Sequence, residues 1–201
     1  MSLAAGLLAA FAAPALAIDP NRAMSQYIHD RWGPEQGFPR GPVYAITQSA
    51  DGYLWIGTEA GLVRFDGWNF RVMPEDPKVP RVNNVLGILP DGDGSLWVRI
   101  QGPTMLRYRG GAFERVLAGL PYSNITATCR SRDGALMASA PEQGTLIHRD
   151  GKLEMVAAAS VMPRSPVISI AQTSDGDVWM GTRGAGLFRL SGETTTATAD
   201  G

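Results

Sequence analysis

The sequence predicts an all-β chain made of four tandem, four-stranded antiparallel units, on three observations. Asp-Gly, any residue, an aliphatic and a large apolar side chain recur as DGYLW at Asp51, DGSLW at Asp93, DGALM at Asp133 and DGDVW at Asp175, in steps of 42, 40 and 42. Prolines keep the same beat at Pro39, Pro80, Pro121 and Pro163, stepping by 41, 41 and 42. Between these landmarks the apolar runs VYAITQ, LWIGT and LVRF alternate with period two, and no window sustains the i, i+3, i+4, i+7 spacing of a helix.

A period of about 42 residues suits propeller blades and some helical solenoids. Composition separates the two. The chain holds 24 Gly and 14 Pro, and inside a helix each Gly costs about 1 kcal/mol and each Pro about 3. The units are therefore read as β-propeller blades at 38–78, 79–119, 120–161 and 162–201. In the first, strands are expected at about Val43–Gln48, Tyr53–Gly57, Gly61–Asp66 and Asn69–Met73.

The elements before the blades come first in order. The run LAAGLLAAFAAPALA has the apolar core of a secretory signal and ends in the small-x-small site Ala15-Leu16-Ala17, so residues 1–17 read as a signal peptide, although no Lys or Arg precedes the run. Residues 18–37 form a leading segment with a strand expected at about 27–32 (YIHDRW). Since repeat four fades into ETTTATADG, that strand is expected to complete the last blade as its outer edge. No later stretch of the chain reads as a membrane-spanning helix.

Within each blade, three sets of positions recur. Ala45, Gly87, Ala127 and Ser169 stand six residues before the repeating Asp, in the innermost strand, where small side chains suit the crowding around a channel. Trp55, Trp97, Met137 and Trp179 read as packing plates between neighbouring blades. Gly52, Gly94, Gly134 and Gly176 supply the turn between the first two strands, because Gly accepts φ > 0 without a Cβ clash.

Most chemical motifs fail on inspection. DGDGS at Asp91 resembles the start of a calcium loop, but the Glu required at its last ligand position falls on Gly102. GTRGAG at Gly181 lies between two strands and opens no helix, so it is no dinucleotide cradle. His29 and His148 are the only histidines and lack metal-ligand spacing, so neither metal nor cofactor is expected. The lone Cys129, in an innermost strand, reads as a small core residue. A net charge of −1 offers no basic field for nucleic acid or an anionic membrane.

One recurrence is not obviously architectural. Arg40, Arg81 and Arg164 directly follow the repeating Pro, with Tyr122 in that place in the third repeat. They lead into the innermost strands and should gather at one mouth of the channel. The loops between second and third strands open on the same face and offer Glu59, Gln101, Glu142 and Arg183. Guanidinium groups and a tyrosine converging on a cleft suit a carboxylate, a sulfate or sugar hydroxyls. Solvated loop charge is the competing reading.

The stretch GFPRGPVYAITQSADGYLWIGTEAGLVRFDGWNF resembles the repeat of the two-component regulator propeller family, as does VISIAQTSDGDVWMGTRGAGLFRL. In the second repeat VRIQGP stands in place of the Gly-Thr; in the third, Met137 replaces Trp and Ala138-Ser139 replaces Gly-Thr. The resemblance covers about residues 27 to 192. It implies a ligand-sensing propeller of bacterial signalling, exported, with further blades and a membrane-bound histidine kinase or diguanylate cyclase as partners, and a small molecule or glycan as ligand. It implies no catalysis by this chain, whose four blades are then part of an incomplete ring. Streptogramin lyases resemble these repeats too and use a metal with His and Glu in the channel. A scaffold for protein contacts is the third class.

Overall fold

The structure, a computed structural model, describes residues 23, 25, 28–74, 82–102, 104–116, 125–149, 152–192 and 194–197. The expected signal peptide, Tyr27, Arg81 and Tyr122 lie outside the described residues. Residues 1–31 cluster apart from residues 32–201, which hold the blades. Among the described residues no helix is long and apolar enough to cross a membrane.

Among the described residues sixteen strands form four sheets, each with its strands in chain order. Blade 1 is β1 (Val43–Gln48), β2 (Leu54–Thr58), β3 (Gly61–Phe65) and β4 (Phe70–Val72). Blade 2 is β5 (Val85–Pro90), β6 (Leu96–Ile100), β7 (Met105–Arg109) and β8 (Ala112–Arg115). Blade 3 is β9 (Ala127–Arg130), β10 (Leu136–Ala140), β11 (Gly144–Arg149) and β12 (Lys152–Ala158). Blade 4 is β13 (Val167–Gln172), β14 (Val178–Thr182), β15 (Leu187–Ser191) and β16 (Thr194–Ala197). All pairings are antiparallel, as adjacent strands joined by short loops must be.

Each Asp-Gly pair closes a four-residue turn between first and second strands. Gly52 N–H donates to Ser49 O at 2.9 Å, Gly94 to Asp91 at 3.1 Å, Gly134 to Ser131 at 2.8 Å and Gly176 to Thr173 at 3.0 Å. The glycines have φ of 88°, 80°, 84° and 100°, the left-handed region that a Cβ disfavours. Turns of this kind favour Ser or Asp first and Gly last. The turn also explains why Trp recurs two strand positions on: Trp55 Nε1 donates to Ser49 Oγ at 2.8 Å, and Trp97 Nε1 to Asp91 Oδ2 at 3.0 Å.

Apolar residues of consecutive blades meet in three clusters. Trp55, Leu62 and Met73 of blade 1 pack on Val85, Val98 and Leu106 of blade 2. Trp97 and Met105 of blade 2 pack on Ile125, Leu136 and Ala138 of blade 3. Met137 and Ile147 of blade 3 pack on Val167, Val178 and Met180 of blade 4. Among the described residues no such cluster joins blade 4 to blade 1. Trp55 and Trp97 are each 5% exposed and Met137 1%, whereas Trp179, the last of the series, is only half-buried beneath the Arg189 guanidinium.

Two expectations need correction. Residues 28–32 form no strand: the outer place of blade 4 is held by β16, which pairs with β15, and Trp32 instead sets its ring against Phe65 and Phe70, at 5.9 and 6.3 Å. The register also moves the Gly-Thr replacement in the third repeat by one residue. Gly57 faces Ala45, and the residue facing Ala127 is Ser139, so Ser139-Ala140, not Ala138-Ser139, takes the place of Gly57-Thr58.

Candidate functional site

The entry ends of β1, β5 and β13 share an irregularity. Pairing runs Val43↔Thr58 then Ala45↔Gly57, Val85↔Ile100 then Gly87↔Arg99, and Val167↔Thr182 then Ser169↔Gly181. Tyr44, Leu86 and Ile168 are thus bulged out of the ladder, a device that re-aims a side chain and frees backbone groups. The loops before these strands and those joining second and third strands lie together. Glu59 N–H reaches Pro42 O at 3.3 Å and Arg183 N–H reaches Pro166 O at 2.9 Å. Blade 1 is tied to blade 2 there by Asn84 N–H to Glu59 O at 3.0 Å. This end is the mouth, and the Asp-Gly turns lie at the opposite end of the strands.

A cleft of about 470 Å³ opens at the mouth across blades 2, 3 and 4. Gln101, Glu142 and Arg183 line it, three of the four loop residues that the sequence placed on this face. Leu86, Ile125 and Ile168 give it apolar walls. A second cleft of about 380 Å³ between blades 3 and 4 is lined by Arg164, Ser165 and Ser139. Pro141 and Pro166 line both, so the two adjoin. Arg40 and Arg164 hold equivalent exposed places, each three residues before its innermost strand. Arg40 and Glu59 line neither cleft, and the Glu59 side chain lies over Gly41, its Oε2 2.7 Å from where a Cβ would stand.

Sequence reasoning passed over one charged residue that lines the larger cleft. Arg99 occupies the β6 position that is Gly57 in β2 and Gly181 in β14. Its Nη2 donates to the bulged Leu86 O at 3.0 Å and its Nη1 to Ile125 O at 3.4 Å. Nε is buried without a hydrogen-bond partner. Burial pushes the guanidinium's pKa down, yet an arginine stays charged in proteins. The signal for it was in the sequence: VRIQGP broke the repeat at this place.

The other titratable groups lie elsewhere. His148 sits between Asp-Gly turns, its ring edge-on to Trp97 at 5.3 Å, and does not line the mouth cleft. Burial and then the Arg107 charge lower its pKa. Cys129 faces Met137 across the sheet, and burial pushes its thiol up to about 11. Among the described residues no group of three His, Cys, Asp or Glu is placed to share a metal ion.

The two-component regulator propeller model matches residues 37–60 and 162–184. These are the stretches around β1–β2 and β13–β14, the blades that keep Gly57 and Gly181. No curated protein matches the sequence. Among solved structures, the extracellular domain of the hybrid two-component system BT3049 from B. thetaiotaomicron is similar with a TM-score of 0.72 at 22% identity, over 85% of this chain and 26% of that one. That of BT4673 from the same organism is similar at 0.59 and 21% identity, over 73% and 21%. Virginiamycin B lyase from Staphylococcus aureus is similar at 0.60 and 17% identity, over 79% and 56%. At such identities the likeness is one of fold, and the chain spans about a quarter of the length of the BT3049 domain. The family model thus matches two of the four blades, and the repeats of this chain are similar to those of the two-component regulator propeller family.

Proposed function

We propose that this chain is an exported ligand-binding module of a bacterial signalling protein, taking a small molecule or glycan at the mouth of its blades. One observation carries the reading. Three of the loop residues expected at the mouth line a single cleft with apolar walls and a few polar groups, the usual make-up of a small-molecule site. The family match supports a sensory role over an unrelated scaffold. On this reading the output is delivered by a membrane-bound kinase or cyclase, and nucleic acid is no partner. The lyase alternative would need histidine chemistry in the channel, and His148 lines the opposite end.

Two measurements test it. A fusion of residues 1–201 to a phosphatase that is active only after export should give active enzyme. Thermal melts of the protein with a panel of sugars, oligosaccharides and small acids should show at least one saturable rise in Tm. Inactive fusions would sink the export, and a flat panel would sink the ligand-binding role.

A further inference from the structure

We propose that Arg99 anchors the carboxylate of a small acidic ligand at the mouth, an inference that rests on the binding role above and adds its chemical class. The fourth position of the second strand is Gly57, Arg99, Ser139 and Gly181 in successive blades. In blade 1 its glycine lets blade 2 close in: a Cβ on Gly57 would stand 2.4 Å from Val85 O. In blade 2 the Arg99 side chain fills the equivalent seam and reaches Ile125 O, the matching carbonyl of blade 3. Arg99 and Ser139 therefore wedge the two seams at which the two clefts lie, and each lines one of them.

Both side chains also carry polar hydrogen-bonding atoms with nothing to bond. Ser139 is 1% exposed, and its Oγ has no partner. Arg99 gives two of its five donors to backbone carbonyls, and no carboxylate lies within ion-pair distance of it among the described residues. A half-buried cation without a counter-charge is costly, and so is a buried hydroxyl left unbonded. The fork of a guanidinium matches a carboxylate in plane and spacing. Arg183 and Arg164 add positive charge at the rims, against the one carboxylate, Glu142, that lines the larger cleft. The walls of Leu86, Ile125 and Ile168 suit the apolar face of a ring. The ligand class is a compact ring or short chain bearing one carboxylate.

The test is calorimetric titration of the full chain with D-glucuronate, D-glucose and inorganic sulfate, repeated with Arg99→Gly, Arg99→Lys and Ser139→Ala. Arg99→Gly installs the residue of blades 1 and 4, and a ligand-free urea melt reports whether each variant folds. The expected result is binding of glucuronate over glucose, weakened at least about tenfold in Arg99→Gly, as for a lost hydrogen bond to a charged group. Arg99→Lys should fall between, because it keeps the charge without the fork, and Ser139→Ala, which removes a hydroxyl of the other seam, should bind as the parent does. Added salt should weaken the binding. Glucose binding as tightly as glucuronate, or glucuronate binding unchanged in a folded Arg99→Gly, overturns this inference and leaves the sensing role standing. Sulfate binding as tightly as glucuronate overturns the carboxylate class. No binding of any sugar, here or across the wider panel, overturns both.

Discussion

Gly87 and Arg99 face one another across β5 and β6, and the arginine lies in the space that a side chain on the glycine would occupy. A Cβ there would meet Arg99 Nε at 3.1 Å. In blades 1 and 4 the order is reversed, with Ala45 or Ser169 on the first strand and Gly57 or Gly181 on the second. The pair has kept its combined room and exchanged which strand supplies the bulk.

That exchange predicts unequal costs for the same small substitution. Gly57→Ala places a methyl 2.4 Å from the Val85 carbonyl, backbone that cannot rotate away, and should destabilise by about 1–3 kcal/mol as overpacking does. Gly87→Ala meets a flexible side chain and should cost less. Urea melts of the two variants, side by side, give the order.

Trp55→Ala should destabilise by about 3–5 kcal/mol, the range for a large aromatic removed from a core. Trp55→Phe should cost less but still register, since it keeps a ring and loses the hydrogen bond to Ser49 Oγ. Trp179→Ala should be the mildest, because that ring is only half-buried. A Trp55→Ala melt that matches the parent would remove the packing role.

Cys129 should be inert while the protein is folded. With its thiol raised to about 11 by burial, only about one molecule in a thousand is a thiolate at pH 8. Reaction with an aromatic disulfide reagent should be slow in buffer and fast in urea. Prompt labelling of the native protein would contradict its placement.

Stability should fall in two steps on acidification. The Ser95 hydroxyl at Asp93, the Ser131 hydroxyl at Asp133 and the Thr173 hydroxyl at Asp175 each hold a turn carboxylate below its ordinary value of 3.8. A depressed carboxylate stabilises the fold above that ordinary value, and the contribution is lost as pH falls through the folded pKa. His148 adds an earlier step. Its folded pKa lies below the ordinary 6.5 because burial disfavours the charged ring, so protonation below pH 6.5 favours the unfolded chain. Melts from pH 8 to pH 2 should show both steps, and His148→Phe should remove only the upper one.

The blades were legible in the sequence because their causes are local. Alternation marks a half-buried strand, and Asp-Gly marks a turn whose last residue needs positive φ; neither depends on anything far along the chain. Hence the strands expected near Val43–Gln48 and Gly61–Asp66 differ by no more than a residue from β1 and β3. The mouth was only half legible. Counting from the repeat placed Gln101, Glu142 and Arg183 on one face, but period alone carries no distance between loops of different blades. Arg99 and Ser139 both showed in the sequence only as departures from the Gly-Thr of the repeat, since burial is set by the neighbouring blade. Which carbonyl takes the guanidinium, and whether a hydroxyl finds a partner, depends on how closely two sheets approach. That approach is decided where Gly57 permits contact and Arg99 prevents it, a relation between residues of different blades that only the tertiary structure contains.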